Sequence, residues 1–473
     1  MTAPLPHRPI AIMRLVTLGS FLYLLTGCAM TKLPELPASD IPGQWQAVND
    51  EGAVSWPQLE WWNNFKSSEL AEIMALVEAK NLDLATNVRN LEQAQLSLRN
   101  AGFDLLPTPI LEPGLSRRYN GFEADDGSFR ENNSTSANLS AGLMYTDILS
   151  KPASYNAAVA RYDGDIARLA DLRLNTLGTA ASTYFQVLLI RDRIEAAEQN
   201  LENAEAIYRI IQARADAGTV TPIDALQQRI AVQQQQNNLK TLHQNELSTR
   251  ASLATLLASS VNDVQIAQTT LQDVTVPSVQ PGIPSELLLR RPDLVSAEAN
   301  LRLFRANVDL TRLQFLPNIS LTAAAGAVSS SLGSVLDNGI TTANGTANFL
   351  LTLLDNGARN RSLQNSKLDL RSALDNYRKA AITAFNDIEV SLGNISLLES
   401  LAIVATQDLA RAEEAYRIAG VRYREGVADY QTVLNTQNTL FSVRNAFLDN
   451  KLARLNAIIS FYQALGGGWQ RPV

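Results

Sequence analysis

The chain has 473 residues and carries 40 Lys and Arg against 47 Asp and Glu, a net charge of −7. Such an acidic balance offers no basic patch for nucleic acid. Two histidines and one cysteine leave almost no material for a His/Cys metal site or a Cys-His or Ser-His nucleophile, and five methionines argue against a Met-lined metal relay.

Arg8 and Arg14 make a basic start, and Leu15 to Leu25 is an apolar run too short to span a bilayer. It ends in Leu24-Leu25-Thr26-Gly27-Cys28, the cleavage and lipidation signal of bacterial lipoproteins. Residues 1–27 therefore read as a removed signal peptide, and Cys28 as an acylated N-terminus. A start at Met13 gives a tighter signal with the same end. Ala29 follows, rather than an Asp that would hold the protein at the inner membrane, so the outer membrane is the expected address. Several acyl chains anchor stably where one binds only marginally. Cleavage removes both arginines and His7, so the remainder is more acidic still, with His243 its one histidine.

Beyond residue 27 no segment offers the roughly 20 uninterrupted apolar residues of a membrane helix, so a membrane crossing here requires strands. Residues 28–65 read as a lipid-anchored N-terminal segment. After them the chain repeats itself once. Asp83-Leu84 and Leu106-Pro107 recur as Asp293-Leu294 and Leu316-Pro317, Ala206-Ile207-Tyr208-Arg209-Ile210 resembles Ala415-Tyr416-Arg417-Ile418, and Gly218 recurs as Gly426. Two halves follow, 66–270 and 292–467, joined by a linker over 271–291 and closed by a tail, 468–473. Internal duplication is a fold-level signal.

Each half reads as helix, strand pair, long helix, turn and returning helix. The first helix runs from Ser67 to Leu105, with Leu70, Ile73, Leu76 and Val77 on one face, and Leu106-Pro107 stops it. Pro292 opens its counterpart at a first-turn position, and Leu316-Pro317 ends it. After each proline the period falls to two. Ala137, Leu139, Ala141, Leu143 and Tyr145 alternate with Asn138, Ser140, Gly142 and Met144; the same alternation occupies Ile319 to Ala327 and Ala347 to Leu353. Strands are expected at 111–119, 136–146, 319–327 and 345–354, with polar loops at 120–135 and 328–344. Segments of about ten residues with one apolar side fit tilted transmembrane strands.

The long helices are expected from Tyr155 to Ala215 and from Asn360 to Arg424, each on the order of 90 Å at 1.5 Å per residue. Helices of that length pack in register against neighbours rather than wrap a globular core. Turns at 216–224 and 424–431 send the chain back along Ile223–Leu257 and Tyr430–Leu465.

These elements resemble the TolC family of outer-membrane export ducts, in its lipidated, OprM-type and nodulation-type branch. The resemblance rests on Leu25-Thr26-Gly27-Cys28, on Gly282-Ile283-Pro284-Ser285-Glu286-Leu287-Leu288-Leu289-Arg290-Arg291-Pro292-Asp293, on Phe315-Leu316-Pro317, on Leu354-Asp355-Asn356-Gly357-Ala358-Arg359, on Tyr423-Arg424-Glu425-Gly426 and on Leu465-Gly466-Gly467-Gly468-Trp469. It implies a mainly α fold with a β-barrel part: a homotrimer in which four strands per chain close a 12-stranded barrel and the long helices continue as an α-barrel tunnel. It implies no enzyme and no cofactor. It implies instead a passive duct that takes drugs or other small amphiphiles from an inner-membrane pump, of the proton-driven resistance-nodulation-division type, through a periplasmic adaptor. Metal-cation efflux and type I peptide or protein secretion are the alternative cargoes.

In that family the pore is closed at the helical turns. Asp224, six residues after Gly218, falls where TolC carries an acid that holds neighbouring helices shut, and Tyr423 matches its tyrosine partner. Asp224 reads equally as a helix-start acid favouring the dipole. Ala428 stands where TolC has a gate arginine, and Asn435 where TolC and OprM have aspartate. The expected constriction is therefore neutral, lined by Gln431, Thr432 and Asn435 and closed by hydrogen bonds. Gly218, Thr219, Gly426 and Val427 form the tip expected to meet the adaptor. A structural coiled-coil lipoprotein explains the helices and Cys28 but not the period-2 segments, and an envelope hydrolase lacks its acid–base set.

Overall fold

The computed structural model of the protein describes residues 56–123, 125, 127–279 and 290–471; Cys28 and Gly282–Leu289 lie outside the described residues. The chain forms two compact units. Leu96–Arg161 and Ala299–Asp375 belong to the first, and Tyr162–Glu298 and the chain from Asn376 onward, with residues 56–95, to the second.

Seven long helices and four strands are named here in chain order. They are α1 (Ser68–Lys80), α2 (Leu82–Phe103), β1 (Thr108–Glu123), β2 (Phe129–Tyr145), α3 (Lys151–Asp216), α4 (Pro222–Leu256), α5 (Pro292–Leu313), β3 (Asn318–Ser329), β4 (Ile340–Leu350), α6 (Ala358–Arg424) and α7 (Tyr430–Ala464). Lengths recur between the halves: 22 residues in α2 and α5, 66 and 67 in α3 and α6, 35 in α4 and α7.

The helix expected from Ser67 to Leu105 is two helices. Ser67 caps the first through its hydroxyl, as a serine before an apolar-periodic run should. Asn81 then interrupts the ladder. Its side-chain oxygen accepts from Asp83 N and Leu84 N, both at 3.0 Å, and its amide donates to the Leu256 carbonyl at 3.0 Å. One buried asparagine thus ends α1, starts α2 and ties both to α4, a tertiary role that periodicity does not report.

The strands form one antiparallel meander, β1-β2-β3-β4, leaving β1 and β4 as edges. Register places Leu115 against Ala137, Leu111 against Ala141, Leu143 against Ala323 and Leu321 against Ala347. All the apolar sets therefore share one face. Ser116, Ser140, Thr322 and Thr346 fall on the other, where the Ser116 and Ser136 hydroxyls meet at 2.8 Å. The first hairpin continues past the expected loop, pairing Asn120 with Asn132 and Glu123 with Phe129. Ladder bonds are backbone bonds, so pairing outlasts the apolar alternation that revealed it. β4 is displaced from 345–354 to 340–350 because the chain leaves the ladder before a sharp corner. At that corner Asn356 and Gly357 both have positive φ, and Asp355 receives Gly357 N, Arg359 N and Arg359 Nε. The second loop is folded back rather than free: a helical turn, Val335–Asn338, packs on β2 and β3 with Val335 buried, and the Ser334 hydroxyl bonds those of Ser329 and Ser331.

In the second unit an aromatic core gathers Trp61, Phe65, Phe185 and Tyr462, with Phe65 and Phe185 edge-on at 5.2 Å. Segment 264–276 is strapped to it by Glu69, which accepts from Ala267 N and Gln268 N, and by Arg191, which donates to the Ile266 and Gln268 carbonyls at 2.8 Å. The Arg290-Arg291-Pro292-Asp293 stretch is a clamp: Arg291 pairs with Asp293 and Asp387 and donates to the Ala464 carbonyl, while Arg290 lies 4.6 Å over Trp56.

Candidate functional site

The two turns that reverse the long helices are built alike. Gly218 (φ 72°) and Gly426 (φ 75°) adopt the left-handed conformation that ends a helix. Thr219 N returns to the Arg214 carbonyl and Val427 N to the Arg422 carbonyl, each at 2.9 Å, so both turns close with the same six-residue bond. The helix that follows each starts on a cap. In the first, the Asp224 carboxylate accepts from Thr221 N at 3.2 Å and from the Thr221 hydroxyl at 2.9 Å. In the second, Asp429 accepts from Thr432 N at 2.8 Å and from its hydroxyl. Those Thr432 hydrogen bonds hold the exposed Asp429 carboxyl below its ordinary range.

The residues expected at the gate are thus distributed by capping. Asp224 is a helix-start acid engaged within its own turn, and no Asp224–Tyr423 hydrogen bond forms between the described residues. Tyr423 is buried, its hydroxyl without a partner among the described residues and its ring 4.9 Å beneath the Arg214 guanidinium. Thr432 is committed to Asp429. Gln431 and Asn435 remain exposed and are joined by an amide–amide hydrogen bond of 3.0 Å, one turn apart on α7. Thr219 turns its hydroxyl inward to the Arg214 carbonyl, whereas Val427 stands 66 % exposed at the tip of its turn.

What binds the two turns to each other is a cluster of Ile211, Ala225, Ala419, Tyr423, Tyr430 and Val433. Tyr423 and Tyr430 meet edge-on at 6.5 Å. Under them lies Gln228, fully buried: its Nε2 donates to the Ala204 carbonyl at 2.8 Å and its Oε1 accepts from the Tyr430 hydroxyl. Burial, with the nearby Tyr423 and Asp224 charges, pushes the Tyr430 phenol up to about 12. Sequence reading passed over Tyr430, Gln228 and Gln437. Their signal was present as spacing, because Tyr430, Val433, Gln437 and Leu440 recur at the three- and four-residue intervals of a buried helix face.

The model of the family described as "Outer membrane efflux protein" matches residues 74–259 and 283–467. The pyoverdine export outer membrane protein OpmQ of Pseudomonas aeruginosa is 32% identical over 97% of this chain and 98% of its own length. The probable efflux pump outer membrane protein TtgC of Pseudomonas putida is 25% identical over 96% of each. Among solved structures, the Campylobacter jejuni CmeC outer membrane channel superposes with a TM-score of 0.85, covering 94% of this chain and 96% of that one at 24% identity.

Proposed function

The chain belongs to the outer membrane efflux protein family, and on that premise we propose that it is the passive outer-membrane duct of a tripartite export system. The observation that carries this reading is the two-faced sheet. Its four strands present an apolar side to lipid and a hydroxyl- and amide-rich side to water, and both of its edges are open. Open edges in a membrane demand partners. Three copies, each offering β1 to the β4 of the next, close the sheet with every edge satisfied. Val390, Leu397, Leu401 and Val404 form an exposed apolar stripe on α6, fit for the helices of a neighbouring copy. One stretch of α6 is apolar enough by length and composition to pass for a membrane span, with only 11% of it buried; packing in a trimer accounts for it without a membrane.

Cys28, acylated, anchors the duct at the outer membrane. The paired turns face the periplasm, where Gly218, Thr219, Gly426 and Val427 meet an adaptor that connects to an inner-membrane pump. The pore narrows there, at the neutral Gln431–Asn435 pair, with Asp224, Tyr423 and Thr432 setting the geometry behind it. Energy enters at the pump, and the chain performs no chemistry on its cargo.

Drugs and similar small amphiphiles are the first cargo class. A second reading, export of an endogenous secreted small molecule, is favoured by the greater identity to a relative named for pyoverdine export. A deletion strain decides between them. Hypersensitivity to unrelated antibiotics, dyes and bile salts, restored by wild type and reduced with Cys28→Ala, is the expected result for a multidrug duct. Normal susceptibility with a small molecule missing from the medium establishes the second reading. Sensitivity confined to metal salts, or loss of a secreted protein, overturns both.

A further inference from the structure

Between α4 and α7, close above the paired turns, lies a cleft of about 320 Å³ whose lining includes Gln227, Ile230, Gln234, Gln431, Gln437 and Phe441. No charged side chain lines it. Gln437 is 2 % exposed, and its Nε2 has no acceptor among the described residues. Gln228, by contrast, has a partner at both ends of its amide: its Nε2 donates to the Ala204 carbonyl and its Oε1 accepts from the Tyr430 hydroxyl. A buried donor without an acceptor costs more than the same site filled by an apolar side chain of equal size. Position 437 belongs to the row Tyr430, Val433, Leu440, where leucine is the ordinary choice. The Gln437 amide thus has a donor to offer to a group outside the chain.

We propose that this cleft is a binding site for a neutral, carbonyl-bearing small amphiphile, held by donation from Gln437 Nε2 and covered by Ile230 and Phe441. The reading rests on the duct function and adds to it a place where cargo is recognised. Neutrality follows from the lining: an ion entering a site with only amides and apolar groups loses hydration without gaining a countercharge. Small size follows from the volume, which is at the lower end of the range of small-molecule pockets. The exposed amides of Gln227, Gln234 and Gln431 at the rim supply further hydrogen bonds to a ligand with more than one polar group.

The test uses the full-length trimer in planar bilayers, with chloramphenicol as a neutral amide-bearing probe and ethidium as a cationic one. Chloramphenicol interrupts the wild-type current in discrete blockades, ethidium does so much less, and Gln437→Leu shortens the chloramphenicol blockades about tenfold at unchanged open conductance. Gln437→Leu removes an unsatisfied buried amide, so it folds at least as well as wild type, and a thermal melt checks this. Equal blockades in the two proteins overturn the proposal. So does a Gln437→Leu variant that loses adaptor binding while chloramphenicol blockade is unchanged, because the cleft then takes a protein segment. Absence of any conductance in wild type overturns the duct reading instead, before the cleft is reached.

Discussion

The Tyr430 hydroxyl donates to the Gln228 side-chain oxygen across 202 positions of sequence, and it is the buried hydrogen bond that joins the start of α7 to α4. Tyr430→Phe strands that oxygen in an apolar cluster and is expected to destabilise the protein by about 1–3 kcal/mol. Pairing it with Gln228→Leu removes both partners and recovers most of the loss. A double-mutant cycle on thermal unfolding measures the coupling; strictly additive losses mean that the bond contributes nothing.

The same tyrosine sets an alkaline limit. Its folded-state pKa, about 12, lies above the ordinary 10.0. Folding therefore favours the protonated phenol, and this contribution to stability is complete below pH 10, then falls away as pH rises towards 12. Protease sensitivity of the paired turns should climb across that window in wild type. Tyr430→Phe, already weakened, should show a flatter rise.

Gly466 and Gly218 both have positive φ, yet they face different surroundings. A Cβ at Gly218 meets open space, so Gly218→Ala is expected to cost about 1 kcal/mol of backbone strain. At Gly466 a Cβ runs into the Arg290 carbonyl, which the Arg291 clamp holds in place. Gly466→Ala is expected to cost on the order of 3 kcal/mol or more and to lower the yield of folded protein. Chemical denaturation of the two variants side by side tests the ranking.

Neighbouring residues on β2 should respond oppositely to charge. Ala141 lies on the apolar face and Ser140 on the other. Ala141→Arg is expected to oppose membrane insertion by about 2–4 kcal/mol, whereas Ser140→Arg inserts and alters the pore current. Heat-modifiability of the barrel on gels and single-channel recording separate the two. Failure of both to insert, or of neither, would sink the assignment of faces.

At the turns, Asn435→Asp places a carboxylate next to Gln431 on an exposed face of α7. Three such acids around a pore attract divalent cations. The variant should gain block by millimolar magnesium, which the neutral wild type lacks. Unchanged conductance would mean that position 435 does not line the constriction.

Much of this architecture was legible in advance because local chemistry decides it. Leu106-Pro107 and Leu316-Pro317 end helices wherever they occur, and both strands that follow open at the next residue. Gly218 and Gly426 marked both turns, and period-2 alternation identified the sheet's two faces. Misplacements came where backbone pairing continued without a side-chain signal, as at Asn120–Asn132, or where one polar side chain acted on three elements, as at Asn81. Asp224 was ambiguous because an acid three residues after Thr221 has the same sequence whether it caps a helix or locks a gate. In the folded chain its carboxylate caps Thr221, a contact that leaves the gate role to be tested.

The sequence by itself determined the order of the main elements, the reversal points and the apolar face of three of the four strands, since each follows from periodicity, proline, glycine and caps within a few residues of chain. Only the tertiary structure decided which buried amides are satisfied. Gln228 and Gln437 occupy the same kind of apolar-face position, and nothing local distinguishes them. Packing brings the Ala204 carbonyl and the Tyr430 hydroxyl to one and leaves the other open to a cleft. A helical period states that a residue is buried; what it meets there is set by neighbours on other helices, for Gln228 at 24 and 202 positions away.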